Sequence, residues 1–261
     1  MTRKILINFG IILVSVVLIA CVSTAQFKSL DVNKIGEQQL LRGKLTKPTG
    51  RDGPFPAIVL LHGCGGLKER DWGWVSRLKR WGFVTLMVNS FGPRGKSNTC
   101  APGQSQIIQP ARRAKDAHGA KLYLGSLPFV DPNRIAVMGW SHGGMSTLEA
   151  VEINEPSSSP FQAAVAFYPY CKQLYIVNAP LLVLIGEKDD WTPANLCQFY
   201  IKPKEGWPEI ILKVYPDAYH AFDAPHGIGS YMGHITGRNS SAAEDSYIRV
   251  KAFLEKYLMD H

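Results

Sequence analysis

The sequence predicts an α/β fold, a mainly parallel sheet with helices on both faces. Three observations carry that expectation. Apolar, β-rich runs alternate with amphipathic helical stretches along almost the whole chain. The central strand-like runs are continuously apolar, as expected where both faces of a sheet are covered. With 261 residues there is enough chain for one large core and too little for two full ones.

The N-terminus is read as a targeting segment over residues 1–25, followed by one folded domain over 26–261. "MTRK" is basic, and "ILINFGIILVSVVLIA" (5–20) is apolar apart from Asn8, Gly10 and Ser15. That run is shorter than the roughly 20 residues of a spanning helix. Two processing sites compete. "STA" before Gln26 fits ordinary signal cleavage, whereas "LIAC" (18–21) resembles the bacterial lipobox, with Cys21 as a lipid-modified first residue. An uncleaved segment acting as a membrane anchor is the third reading. All three place the domain outside the cytoplasm, in the periplasm or cell envelope.

Within the domain, residues 26–50 form a polar lead-in, with an antiparallel edge strand in "EQQLLRGKLTKP". "GPFPAIVLLHG" (53–63) is a buried strand closed by glycine. In "RDWGWVSRLKRWG" the spacing of Trp74, Leu78 and Trp81 is helical, and Gly82 ends the run. "FVTLMVNS" (83–90) is a second buried strand, and a Gly-, Pro- and Ser-rich loop follows to about residue 108. "PARRAKDAHGAKLYLGSL" is a helix with Pro110 at its start. "NRIAVMGW" (133–140) is the third buried strand and "HGGMSTLEAVEI" the helix after it. "FQAAVAFYP", "APLLVLIGE" and "EIILKVYP" add three strands, and 241–258 is a closing amphipathic helix.

The formal charge is +8. Basic residues are spread in pairs such as Arg112-Arg113 and do not interleave with aromatics, so a solvated basic surface is expected and no nucleic-acid partner. Outside Cys21, four cysteines remain, an even number in an oxidising compartment. Of the three pairings, Cys64–Cys100 and Cys171–Cys197 are favoured because each joins neighbouring loops at one end of a sheet. C-x-x-C spacing is absent, and neither a zinc cluster nor any other metal or cofactor is expected.

"GWSHG" (139–143) matches G-x-S-x-G between a strand and a helix, the context in which the motif carries information. Gly139 and Gly143 let backbone approach closely while the Ser141 hydroxyl projects outward, so Ser141 is the candidate nucleophile; the bland alternative is a serine cap in a glycine-rich turn. Its acid and base partners should follow in chain order, each just past a strand. Asp189 follows "APLLVLIGE" and His220 follows "EIILKVYP". Asp190 competes with Asp189, and His226 or His234 with His220. His118 is read as surface, and Asp217 and Asp223 as solvated loop residues. The oxyanion donors are expected to be the backbone N–H groups of His142 and, in "LHGCGG", of Cys64. A plain structural cysteine is the other reading of Cys64.

These pieces resemble the dienelactone hydrolase-like branch of the α/β-hydrolases, in a secreted form. The resemblance rests on "VLLHGCGGL", "NSFGPRG", "RIAVMGWSHGG", "LIGEKDDWTP" and "YPDAYHAFD", over roughly residues 55–225. It implies a single α/β-hydrolase domain. The family's G-x-x-D-x-x-x-P pattern falls on Gly186, Asp189 and Pro193, which favours Asp189. Arg94 looks like the family's substrate-carboxylate arginine. The namesake enzymes carry cysteine where this chain has Ser141, a glutamate missing from "HGCGG", and a second arginine missing after His220. These departures point away from a dienelactone and toward another small-molecule ester or lactone. Trp72, Trp74, Trp140 and Trp191 are candidates for an apolar acyl pocket, with Trp140 taken as substrate-binding and core packing expected for at least half of the four.

The sequence therefore supports a serine hydrolase of carboxylic esters or lactones. A peptidase or polyester hydrolase using the same three side chains is the first alternative. A non-catalytic envelope binding protein is the second.

Overall fold

The computed structural model describes residues 22–259 apart from 34, 51, 102, 105, 106 and 153–158. The apolar leader and Cys21 lie outside the described residues. Among those described, no helix is long and apolar enough to cross a membrane.

The sheet has eight strands: β1 (Val22–Val32), β2 (Gln38–Thr46), β3 (Phe55–Leu61), β4 (Val84–Asn89), β5 (Val130–Trp140), β6 (Ala164–Phe167), β7 (Leu181–Gly186) and β8 (Ile210–Tyr215). Their order is β1-β2-β4-β3-β5-β6-β7-β8. β1 and β2 run antiparallel to their neighbours, and β4 through β8 pair in parallel. The expected edge strand therefore lies one place inside the edge. The edge itself is β1, which begins four residues before the expected domain start at 26 and pairs Ala25 with Gly43. Ala25 and Phe27 are buried on its inner side.

β3 lies at the centre, every residue of it buried, between β4 and β5. Burying a Val, Leu or Ile side chain contributes about 1.5–3 kcal/mol, so β3, β4 and β5 form a stiff platform for the loops at their carboxyl ends. Helices α1 (Glu69–Arg80), α2 (Pro110–Gly125), α3 (His142–Glu152), α4 (Ala194–Tyr200) and α5 (Ser240–Leu258) complete the fold. α2 packs on α3. α1 meets α5 through Trp74 and Tyr247, whose rings are 5.1 Å apart. Two short strands, β9 (Gly229–Tyr231) and β10 (His234–Thr236), form a hairpin after β8 that the sequence pattern did not signal.

Candidate active site

The turn from β5 into α3 places Ser141. Its φ is +54°, a left-handed conformation in a non-glycine residue, so the turn holds the strain that a sharp strand-to-helix elbow needs. The surroundings enforce it. A β-carbon on Gly139 would collide with the Gly143 carbonyl, and one on Gly143 would collide with the carbonyls of Leu61 and His62. The Ser141 N–H donates to Phe167 O (2.9 Å), and Met145 N–H donates back to Ser141 O (2.8 Å).

His220 reaches the same point from the loop after β8. Its Nε2 lies 3.0 Å from Ser141 Oγ, and its Nδ1 lies 2.7 Å from Asp189 Oδ2. Asp189 sits past β7 and is buried. Its carboxylate also accepts from the N–H groups of Trp191 (3.0 Å) and Thr192 (2.8 Å) and from the Thr192 hydroxyl (2.8 Å). Hydroxyl, imidazole and carboxylate thus stand in hydrogen-bonded series, an arrangement in which a base can draw a serine proton.

The competitors are placed elsewhere. Asp190 is half exposed, with His234 Nδ1 at 3.6 Å. His234 stacks on Trp191 with ring centroids 4.7 Å apart. His226 is exposed and its Nδ1 lies 2.9 Å from Gly227 O. Asp217 is exposed and pairs with Lys188 at 2.6 Å.

A cavity of about 650 Å³ opens over Ser141 and His220. Its wall includes Gly63, Cys64, Arg70, Trp191 and Tyr231. Cys64 is bonded to Cys100 and Cys171 to Cys197, as expected. Cys64 thus combines a structural bond with a place at the cavity wall. His142 is the first residue of α3, where N–H groups have no acceptor within the helix.

Two expected substrate contacts are corrected. Arg94 does not face the cavity. Its Nη1 donates to Ser90 O and Asp116 Oδ2 (2.8 Å each), and its Nη2 to Asp116 Oδ1 (2.8 Å) and Asp31 Oδ2 (3.3 Å). Both terminal nitrogens are thus taken up by this buried pairing, and Arg94 is absent from the cavity wall. Trp140 is buried in the core and gives its indole N–H to Asp223 Oδ2 at 3.0 Å. Among the four tryptophans, Trp191 alone lines the cavity over Ser141; Trp74 is core and Trp72 borders a neighbouring hollow.

Two further readings change. His118 is buried, with Nε2 3.1 Å from Ala150 O. Asp223 is also buried and accepts from Trp74 Nε1 (2.7 Å), Trp140 Nε1 (3.0 Å) and Tyr168 Oη (2.7 Å). Arg70, unremarked in the sequence, donates to Tyr168 Oη (3.0 Å) and Asp71 Oδ1 (2.7 Å). Burial pushes the Tyr168 phenol well above its ordinary pKa, so it remains a donor to Asp223. Nothing in the local sequence signals the three donors to Asp223 or the Arg70–Tyr168 bond, because these partners lie 55 to 149 residues apart in the chain.

A protein of Escherichia coli (strain K12) named as a carboxymethylenebutenolidase is 24% identical over 236 residues, 81% of this chain and 80% of that one. A protein of Metarhizium robertsii named as a dipeptidyl-aminopeptidase B is 42% identical over 53 residues, and this chain spans only 6% of that relative's length. Among solved structures, a dienelactone hydrolase-like promiscuous phosphotriesterase from metagenomic libraries superposes with a TM-score of 0.68 at 20% identity, covering 91% of this chain and 99% of that one. The fold likeness spans nearly the whole chain, and the sequence model of the dienelactone hydrolase family matches residues 41–258, taking in Ser141, Asp189 and His220 alike. The chain belongs to the dienelactone hydrolase family of α/β-hydrolases.

Proposed function

We propose that this protein is a serine hydrolase of carboxylic esters or lactones working through an acyl-enzyme. The observation that carries the reading is the series Ser141 Oγ, His220, Asp189, at 3.0 and 2.7 Å, opening on the cavity. His220 Nε2 takes the Ser141 proton as Oγ attacks the acyl carbon, while Asp189 holds the ring and favours its charged form. The Cys64 and His142 N–H groups donate to the oxyanion. His220 then returns the proton to the leaving alcohol. Water, deprotonated by the same ring, releases the acid and restores Ser141.

Trp191, Tyr231 and the Cys64–Cys100 bridge give the cavity an apolar wall suited to a small acyl group or ring. Ser141→Ala should abolish hydrolysis of short p-nitrophenyl esters that the wild type cleaves; wild-type turnover in that variant would refute the proposal. Fluorophosphonate labelling of Ser141 separates an enzyme from a binding protein that kept the fold. Peptide hydrolysis is the second reading, favoured by the similarity to a dipeptidyl-aminopeptidase B, and a panel of esters, polyesters and dipeptide anilides separates the two.

Both disulfides fit an oxidising compartment. For the mature form we favour processing at Cys21 over cleavage after Ala25, because Ser23, Thr24 and Ala25 pair with β2 and the second cut would remove them.

A further inference from the structure

We infer that Arg113 is a positioning residue for oxyanion stabilisation, tying the loop that carries the Cys64 N–H to the helix start that carries the His142 N–H. The inference rests on the ester-hydrolase reading above. Arg113 projects from α2 and is fully buried. Its Nη2 donates to His62 O at 2.7 Å and its Nη1 lies 2.8 Å from His142 Nδ1. A guanidinium only donates, so His142 Nδ1 accepts and that ring is neutral, with its proton on Nε2. One side chain thus grips both segments that are to aim N–H groups at the same oxygen.

The two segments touch at that place, since the His62 carbonyl is one of the atoms that leave no room for a β-carbon on Gly143. Phe91 packs beneath them, 4.5 Å from the His62 ring and 5.0 Å from the Arg113 guanidinium. A buried cation is costly, and its usual remedy is a carboxylate. Asp116, three residues further along α2, instead gives its oxygens to Arg94 and Ser29. The guanidinium is left for the two acceptors. Burial holds its pKa down, to about 9, so it is still charged at neutral pH and donates to both acceptors. A lysine would bring one ammonium where a planar fork serves two directions.

The test compares Arg113→Met, Arg113→Lys and His142→Phe with wild type and Ser141→Ala. Three quantities are read: kcat and KM for p-nitrophenyl butyrate, the inhibition constant of phenylboronic acid, and Tm. Phenylboronic acid forms a tetrahedral anionic adduct when Ser141 Oγ adds to boron and His220 accepts the proton, so its affinity follows oxyanion stabilisation.

Displacing aligned donors costs on the order of 10- to 100-fold. Arg113→Met should lower kcat by that factor with KM within threefold, and raise the boronate constant in step. Arg113→Lys should recover only part, and His142→Phe should fall between it and wild type. A folded Arg113 variant with kcat and boronate affinity within twofold of wild type overturns the inference. So does a fall in kcat that follows Tm while boronate affinity stays unchanged. If Arg113→Met fails to fold, Arg113→Lys and His142→Phe decide by the same criteria. Retained activity in Ser141→Ala would instead refute the hydrolase reading itself, a distinguishable result.

Discussion

Asp189 presents one oxygen to the His220 ring, 2.7 Å from Nδ1, while its other oxygen accepts the backbone N–H groups of Trp191 and Thr192 at 3.0 and 2.8 Å. The two N–H groups require an acceptor. In Asp189→Asn the amide oxygen must therefore stay with them, and the amide NH2 must face His220. Nδ1 then becomes an acceptor and the ring proton moves to Nε2, where it cannot take the Ser141 proton. We expect kcat for p-nitrophenyl esters to fall about 10⁴-fold with the fold intact. Asp190→Asn should stay within twofold, because that half-exposed carboxylate is 3.6 Å from His234 and makes no bond to His220. Equal losses in both variants would refute the assignment.

Asp223 is expected to govern stability. It terminates three donors at once, the indoles of Trp74 and Trp140 and the phenol of Tyr168. Asp223→Leu leaves all three buried and unmatched, at about 1–3 kcal/mol each. A loss of at least about 3 kcal/mol in urea unfolding is expected. Within 1 kcal/mol of wild type, the network would have to be satisfied by water.

What was legible in the sequence was local. The strand–helix alternation follows from apolar runs, and the elbow from glycines at fixed offsets from Ser141. Asp189 and His220 could be named because chain order and strand ends restrict the choice. Arg94 was misread because an arginine looks alike whether it meets a ligand or Asp116 and Asp31, and the latter lies 63 residues away. For the same reason Asp223 was misread as a solvated loop residue, Arg113 was read with the solvated basic surface, and Arg70 was silent. Their roles lie in partners brought from distant segments, and only the packed fold sets them. β1 was hidden because Val22–Ala25 reads equally as the tail of a leader and residues 26–32 read as part of a polar lead-in.

Acid should weaken the fold through His62. Burial, then Arg113, holds its pKa well below the ordinary 6.5, so the folded ring stays neutral where the unfolded ring takes a proton. The unfolded state therefore binds more protons below about pH 6.5, and stability falls as pH drops from there toward the lower folded pKa. The slope is about 1.4 kcal/mol per pH unit for one proton. Urea midpoints at pH 7.5, 6.0 and 5.0 measure it, and His62→Asn should remove one proton's worth of slope. An unchanged slope in His62→Asn would assign the acid sensitivity elsewhere.

The two disulfides should behave differently. Cys171 and Cys197 are buried and close a loop of 26 residues, for which the chain-entropy relation gives about 3.5 kcal/mol. The double change to alanine should lower stability by that order. Cys64 and Cys100 line the cavity, and the Thr99 N–H donates to Cys64 O at 2.8 Å, so their bond braces the loop assigned to the oxyanion. Its removal by paired alanines should cost kcat beyond any change in Tm. Unchanged kcat in that variant would separate the bridge from the chemistry.

The start of β1 bears on the mature N-terminus. Ser23, Thr24 and Ala25 pair with Leu45, Lys44 and Gly43, Lys44 Nζ donates to Thr24 Oγ1 at 3.2 Å, and Ala25 is buried. A chain starting at Gln26 loses those ladder bonds and uncovers the end of β2. Each bond lost is worth about 0.5–1.5 kcal/mol net. Chains beginning at Val22 and at Gln26 should therefore differ by about 1–3 kcal/mol in urea unfolding, the longer being the more stable. If processing occurs at Cys21, the intact mass of the protein from its native membrane should correspond to a diacylglycerol-modified Cys21 followed by the whole of β1. A free mature form beginning at Gln26, equal in stability to the longer chain, would show that the strand's first residues are dispensable and that the other cleavage site is used.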